Sequence, residues 1–191
     1  MKKFILSSFV VLLLVSSCKD ENKDNGENKQ QTEEIKKENP KTYKVILNVI
    51  AKKDDSFHLF YSEDGTLNFP EDTSIWVNFK GSETPQDIVF ELPEDVIPSL
   101  LRIDLNSYQQ NESVQINGFK MKYYSSEFNV DGKGFFDYFG PNLETVEIVD
   151  KNKGIIKPLV KEGKKYSPPS FYPSEEALKT RIEQVLKGAN K

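Results

Sequence analysis

Apolar and polar residues alternate along most of the chain from residue 42 onward, which is the pattern of half-buried β-strands. The first such segment places Tyr43, Val45, Leu47 and Val49 on one face. Further strand candidates are 57–61, 74–79, 88–92, 100–105, 114–124, 128–130, 146–149 and 155–156. Because no helical pattern separates these short segments, they predict a mainly β fold of antiparallel sheets packed as a sandwich over residues 42–160.

One helix is predicted after the sandwich, over residues 173–188. Ser174 is a suitable N-cap, and Glu175 and Glu176 place negative charge in the first turn, where it favours the helix dipole. The apolar positions, spaced i, i+4, i+7 and i+8, are Leu178, Ile182, Val185 and Leu186. This amphipathic C-terminal helix is expected on the sandwich or across its open end, after a proline-rich and aromatic loop at 161–172.

The N-terminus has the pattern of a cleavable signal peptide, predicted over residues 1–17. Lys2 and Lys3 precede an apolar run at 4–15, which is too short to span a bilayer as a helix of about 20 apolar residues. The run ends in Leu14-Val15-Ser16-Ser17-Cys18, which resembles the lipobox of bacterial lipoproteins. The resemblance implies that Cys18 carries a diacylglyceryl thioether and attaches the mature chain to a membrane.

Cys18 is the only cysteine in the sequence, so it can form no internal disulfide, and lipidation would consume a thiol that is otherwise free. The next residues, Lys19-Asp20-Glu21, resemble the export signal of Bacteroidetes-type surface lipoproteins. This resemblance implies an outer-membrane protein on the cell surface, with the periplasmic face of that membrane as the alternative.

Residues 18–41 are predicted to form a disordered, charged tether between the lipid and the domain. Ile35 is the one aliphatic or aromatic side chain from residue 19 to residue 41, so the segment cannot bury enough apolar area to fold. Removing the signal takes the formal net charge from −4 to −6. A mildly acidic chain without a basic cluster argues against a nucleic-acid partner.

No catalytic set is evident, and the chain is expected to be a non-enzyme. His58 is the only histidine and is expected to be structural or exposed, so neither a catalytic triad nor a zinc site is predicted. No cofactor or metal is predicted, although loop carboxylates leave calcium open. A hydrolase that uses carboxylates alone, with Asp104 or Asp137 and a nearby glutamate, is the least favoured alternative.

Aromatic residues are the most suggestive feature. Many β-sandwiches hold sugars on exposed aromatic rings, because a pyranose presents C–H groups to the ring and hydroxyls to polar neighbours. The amphipathic rings proposed for ligand binding are Trp76, Tyr123, Tyr124, Tyr138 and Tyr172. In contrast, Phe135, Phe136 and Phe139 are expected to fill the core.

Four segments resemble the accessory β-sandwich segments of envelope polysaccharide proteins. They are Phe57-His58-Leu59-Phe60-Tyr61-Ser62, Leu92-Pro93, Leu101-Arg102-Ile103-Asp104 and Val114-Gln115-Ile116-Asn117-Gly118-Phe119. The resemblance implies a jelly-roll-like sandwich, but this chain has Leu105-Asn106 where a proline or glycine often follows the aspartate. No functional residues are carried over from it.

These observations favour a lipid-anchored envelope module that binds carbohydrate without catalysis. The alternative is a structural or assembly lipoprotein that binds an outer-membrane protein through a sheet edge or through the C-terminal helix. An exposed apolar patch on that helix would favour the alternative.

Overall fold

The computed structural model describes residues 41–105, 112–161, 163 and 165–189, and in these ranges it is mainly β. The predicted signal peptide, Cys18 and nearly all of the predicted tether lie outside the described residues. Eleven strands are present: β1 (Lys44–Ala51), β2 (Asp55–Ser62), β3 (Ser74–Phe79), β4 (Gln86–Glu91), β5 (Leu100–Asp104), β6 (Val114–Tyr123), β7 (Ser126–Asp131), β8 (Phe139–Pro141), β9 (Val146–Asp150), β10 (Ile155–Pro158) and β11 (Ser170–Pro173).

The strands form two antiparallel sheets, which confirms the predicted β-sandwich class. The first sheet has the order β4-β1-β6-β10-β9, with β7 paired to β6, and the second has the order β3-β2-β5-β11-β8. The pairing is nested, because β1 pairs with β6 while β2 pairs with β5. Because of this nesting, strands that are neighbours at the centre of each sheet come from distant parts of the sequence.

Side chains that alternate along each strand pack between the sheets. On β1, Val45, Leu47 and Val49 are fully buried, and on β2, Phe57 and Leu59 are fully buried. The intervening residues of each strand point to the outer face of the sheet. His58 lies between Phe57 and Leu59 on β2 and is not part of the core cluster to which those two residues belong.

The predicted C-terminal helix is present as α2 (Glu175–Ala189), and its apolar stripe closes one side of the core. Leu178, Ile182 and Val185 are buried in the same cluster as the sheet residues, and α2 packs against β6 and β7. The carbonyl of Ser174 accepts a hydrogen bond from the Leu178 amide at 2.9 Å, so Ser174 lies at the predicted N-cap position.

A second helix, α1 (Gly132–Tyr138), lies where no helix was predicted. The carboxylate of Asp131 caps this helix by accepting a hydrogen bond from the Gly134 amide at 2.7 Å. Two glycines lower the helix propensity of the segment, so tertiary packing stabilises a helix that local preference does not indicate. The Asp-Gly-Lys-Gly sequence, which is typical of a turn, is here a helix start.

The prediction of a loop over residues 161–172 is partly wrong. From Ser170 onward the chain forms β11 (Ser170–Pro173), which lies between β5 and β8. The backbone of β11 pairs with β5 on one side and with β8 on the other. The prolines that precede the strand, Pro168 and Pro169, give no indication in the sequence that a paired strand follows. The strand is short, but it places Tyr172 on the outer face of the second sheet, opposite Arg102.

Candidate functional site

The outer face of the second sheet carries a group of aromatic and charged side chains. Cross-strand register places Trp76 on β3 opposite His58 on β2, and His58 opposite Asp104 on β5. In the adjacent row, Phe60 on β2 is opposite Arg102 on β5. These residues alternate with core residues in sequence, so the fold that buries the core also places them together on the outside.

Trp76 lies on a stack of buried rings. Its side chain is stacked on the His58 imidazole at 3.7 Å between ring centroids, and His58 contacts Phe60 at 3.8 Å. The indole Nε1 donates a hydrogen bond to Oε1 of Glu71 at 3.1 Å. Trp76 is 51% exposed while His58 is only 3% exposed, so the imidazole supports one side of an indole that remains open to solvent.

Arg102 connects this stack to Tyr172. Its guanidinium carbon lies 4.8 Å from the ring centroid of Phe60 and 4.8 Å from that of Tyr172. Arg102 also donates two hydrogen bonds to Asp104, at 3.0 Å to Oδ1 and 2.7 Å to Oδ2. The guanidinium is therefore fixed by one bidentate ion pair and by two aromatic rings.

Trp76, His58, Phe60, Arg102 and Tyr172 form a continuous strip, here named the aromatic–arginine strip. It crosses β3, β2, β5 and β11, which corresponds to three strand spacings or roughly 14 Å. Trp76 and Tyr172, which is 38% exposed, present rings to solvent at the two ends. The strip has the features of a platform for an elongated ligand with both apolar and hydroxyl groups.

Burial shifts the pKa values of two groups at the strip. Burial lowers the pKa of His58 to about 4, against the opposing effect of Glu71 and with a smaller contribution from Arg102. Burial also raises the pKa of Asp104, although the Arg102 ion pair acts in the opposite direction. His58 is therefore neutral at neutral pH, and its buried Nε2 atom, 3.7 Å from Oε1 of Glu71, has no hydrogen-bond partner among the described residues.

The five aromatic residues predicted for ligand binding lie in three separate places. Trp76 and Tyr172 belong to the strip, at opposite ends. Tyr123 and Tyr124 lie at the end of β6, where Tyr123 stacks on the buried Tyr43 and contacts Tyr124 edge to face. Tyr138 ends α1, so no single site contains all five.

A cavity of about 720 Å³ lies beside α2 and includes Tyr138 and Arg181 in its lining. The Tyr138 ring packs against Phe128 at 5.1 Å, and Arg181 donates a hydrogen bond to the Tyr138 hydroxyl at 3.2 Å. These contacts occupy the one aromatic ring in the lining of the cavity. A cleft of about 320 Å³ on the first sheet has a polar lining that includes Asn48, Asp87, Lys120 and Asn129.

The sequence interpretation missed the residues that connect Trp76 to Tyr172. Arg102 carried a usable signal, since an arginine between apolar residues in a central strand requires a partner for its charge. Nothing in the sequence singled out Glu71 in a comparable way, because a glutamate in an acidic turn is ordinarily hydrated. Its role depends on the loop between β2 and β3, whose path brings the carboxylate to the edge of the indole.

In the part of the chain that the structure describes, no helix is long and apolar enough to cross a membrane. Within the same residues, no group of three or more histidine, cysteine, aspartate or glutamate side chains is placed to hold a metal ion.

No protein-family model, curated protein or solved structure matches this chain.

Proposed function

We propose that this chain is a lipid-anchored module of the cell envelope that binds carbohydrate through the aromatic–arginine strip, without catalysis. The observation that carries the proposal is the exposed indole of Trp76, which lies on His58 and is fixed at its edge by Glu71. Tyr172 offers a second exposed ring at the other end of the strip. Aromatic faces beside fixed polar groups suit the C–H and hydroxyl faces of a pyranose.

Preorganisation supports this proposal. The indole of Trp76 has one face stacked and its N–H bonded, and the guanidinium of Arg102 is held by two hydrogen bonds. A ligand would therefore meet side chains whose rotamers are already fixed. Binding to such a surface loses less side-chain entropy than binding to mobile residues.

The positions of the acids support binding over hydrolysis. A general acid or base must come within hydrogen-bond reach of the reacting proton. Both carboxylate oxygens of Asp104 accept hydrogen bonds from Arg102, and the residue is 6% exposed. Glu71 is close enough for its charge to raise the pKa of Asp104, but the ion pair leaves Asp104 poorly placed to act with it. Asp137 lies on α1, exposed and outside the strip.

The assembly alternative receives less support from α2. Its apolar residues Leu178, Ile182 and Val185 are buried, and no large apolar side chain of its described part is strongly exposed. The helix thus uses its apolar face to complete the core of its own domain. A protein partner that binds through a sheet edge remains the competing proposal.

The lipid anchor is part of the proposal, with the outer-membrane surface as the preferred location and its periplasmic face as the alternative. We expect Cys18→Ala to abolish incorporation of radiolabelled palmitate in a bacterial host, because the thiol of Cys18 is the nucleophile that takes the acyl-bearing diacylglyceryl group as a thioether. Ser16→Ala is the matched control and should keep the label, since a small residue is retained before the cysteine. Labelling of the Cys18→Ala chain at the wild-type level would contradict the anchor.

The ligand class is tested by binding of the full chain to an array of plant, host and bacterial glycans. The protein is kept in a detergent without a sugar headgroup, so that the detergent cannot compete. We expect specific binding that Trp76→Ala weakens about tenfold, which corresponds to about 1.4 kcal/mol. Tyr172→Ala should weaken the same binding.

Tyr124→Ala provides the control for this experiment. Tyr124 is 40% exposed, comparable to Tyr172, but it follows β6 of the other sheet. Its replacement should leave the affinity unchanged. Equal losses for Trp76→Ala and Tyr124→Ala would contradict the strip as the site, and absence of any specific glycan binding would contradict the proposed function.

A further inference from the structure

We infer that the aromatic–arginine strip selects uncharged glycans over acidic ones, and that the specificity-determining residue is Glu71. The inference rests on the proposed carbohydrate function and adds the charge class of the ligand. Polysaccharides of otherwise similar structure differ in whether they carry uronate or other anionic groups. A binding surface separates the two classes by the sign of its own unbalanced charge.

The position of Glu71 is the first argument. Its Oε1 atom lies 3.1 Å from Nε1 of Trp76, so the carboxylate is at the edge of the ring on which a sugar would lie. The Glu71 side chain is 71% exposed, whereas His58 beneath the indole is buried. A ligand on Trp76 would therefore meet this carboxylate directly, and its hydroxyls could donate to the outer oxygen.

The charge balance of the strip is the second argument. Arg102 is the one cation that the strip contains, and its ion pair with Asp104 has N–O distances of 3.0 and 2.7 Å. To form an ion pair with Arg102, a uronate would have to displace the carboxylate of Asp104, which lies two residues away on the same strand and is largely buried. The charges of Arg102 and Asp104 therefore balance each other, and the pair presents no net positive charge to a ligand.

The charge beside the strip that no cation among the described residues balances is negative, and it is that of Glu71. His58 adds no positive charge near neutral pH, because burial lowers its pKa to about 4. The loop between β2 and β3, which carries Glu71, also carries the acids Glu63, Asp64 and Asp72. A carboxylate on the ligand would thus approach like charges without a compensating cation in the strip.

The test compares each glycan with its own oxidised form. A soluble β-glucan, a starch and a galactomannan are used before and after oxidation of their primary alcohols to carboxylates. Binding to the full chain is measured at low and at high ionic strength. We expect the wild-type protein to bind the neutral form of its preferred polymer about tenfold or more tightly than the oxidised form at low ionic strength, with a smaller ratio in high salt.

Two variants assign this discrimination to a residue. Glu71→Gln keeps an oxygen that can accept the Trp76 N–H but removes the charge, and should reduce the neutral-to-oxidised affinity ratio at least threefold. Glu147→Gln removes one charge from β9, an edge strand of the first sheet, and should leave the ratio at the wild-type value. The ratio is internal to each variant, so a general loss of affinity does not affect it.

The outcomes separate the two proposals. Trp76-dependent binding that is equal or tighter for the oxidised polymers would overturn the inference and leave the carbohydrate function standing. An affinity ratio that Glu71→Gln leaves unchanged would also overturn the role of Glu71. No Trp76-dependent binding to any polymer, neutral or oxidised, would overturn the proposed function and the inference with it.

Discussion

Replacing Phe135 with alanine is expected to lower the free energy of unfolding by about 3–5 kcal/mol, the usual cost of truncating a fully buried phenylalanine. Phe135 has no exposed surface and is stacked on Phe139 at 4.9 Å between ring centroids. It also contacts Phe119, Phe136 and Phe171 at 6.2, 5.5 and 5.3 Å. These rings come from four elements, so a cavity there cannot close through the movement of one segment.

Urea unfolding of the two proteins measures this difference. Leu143→Ala is the control, because Leu143 is 67% exposed and its truncation should change the free energy of unfolding by no more than about 0.5 kcal/mol. A loss for Phe135→Ala as small as that of Leu143→Ala would contradict the packing described. The prediction that Phe135, Phe136 and Phe139 are core residues is already confirmed by their burial.

Acidification from about pH 6.5 to about pH 4 is expected to destabilise the wild-type protein relative to a His58→Phe variant. The pKa of His58 falls from 6.5 to about 4 on folding, chiefly through burial. Between these values the unfolded chain binds a proton that the folded chain does not, so stability is full above this window and is lost as the pH falls through it. The shift corresponds to about 3 kcal/mol at most.

Chemical denaturation at several pH values measures the effect as a difference between the two proteins. Phenylalanine keeps a ring beneath Trp76 but cannot take up a proton. Asp104 titrates with the opposite sign, because burial raises the pKa of its carboxyl, and it is present in both proteins. Parallel pH dependences for wild type and His58→Phe would contradict a buried, neutral imidazole at this position.

The strands could be predicted from the sequence because burial of one sheet face imposes a period of two. The alternation of Phe57, His58 and Leu59 indicated which residues face the core, and the structure agrees. The amphipathic spacing of apolar residues likewise allowed α2 to be predicted from the sequence. In contrast, α1 is rich in glycine and β11 is short and follows prolines, so both depend on tertiary partners that no local pattern encodes.

The candidate site could be predicted only in part, for a related reason. Trp76 and Tyr172 were named as amphipathic rings, but nothing in the sequence placed them on one surface, 96 residues apart. Their association depends on the register of β3 with β2, of β2 with β5 and of β5 with β11. Tyr123, Tyr124 and Tyr138 have similar chemistry, but they lie outside the second sheet, at the end of β6 and at the end of α1.

The most direct test of the central claim uses the fluorescence of Trp76, which is the only tryptophan in the chain. The glycan that binds best on the array is titrated into the full chain, while binding is measured independently by calorimetry. We predict a saturable change in indole emission with the same midpoint as the calorimetric curve, together with protection of the indole from a soluble quencher. Saturated binding with unchanged emission and quenching would mean that the ligand lies elsewhere, and would contradict the aromatic–arginine strip as the binding site.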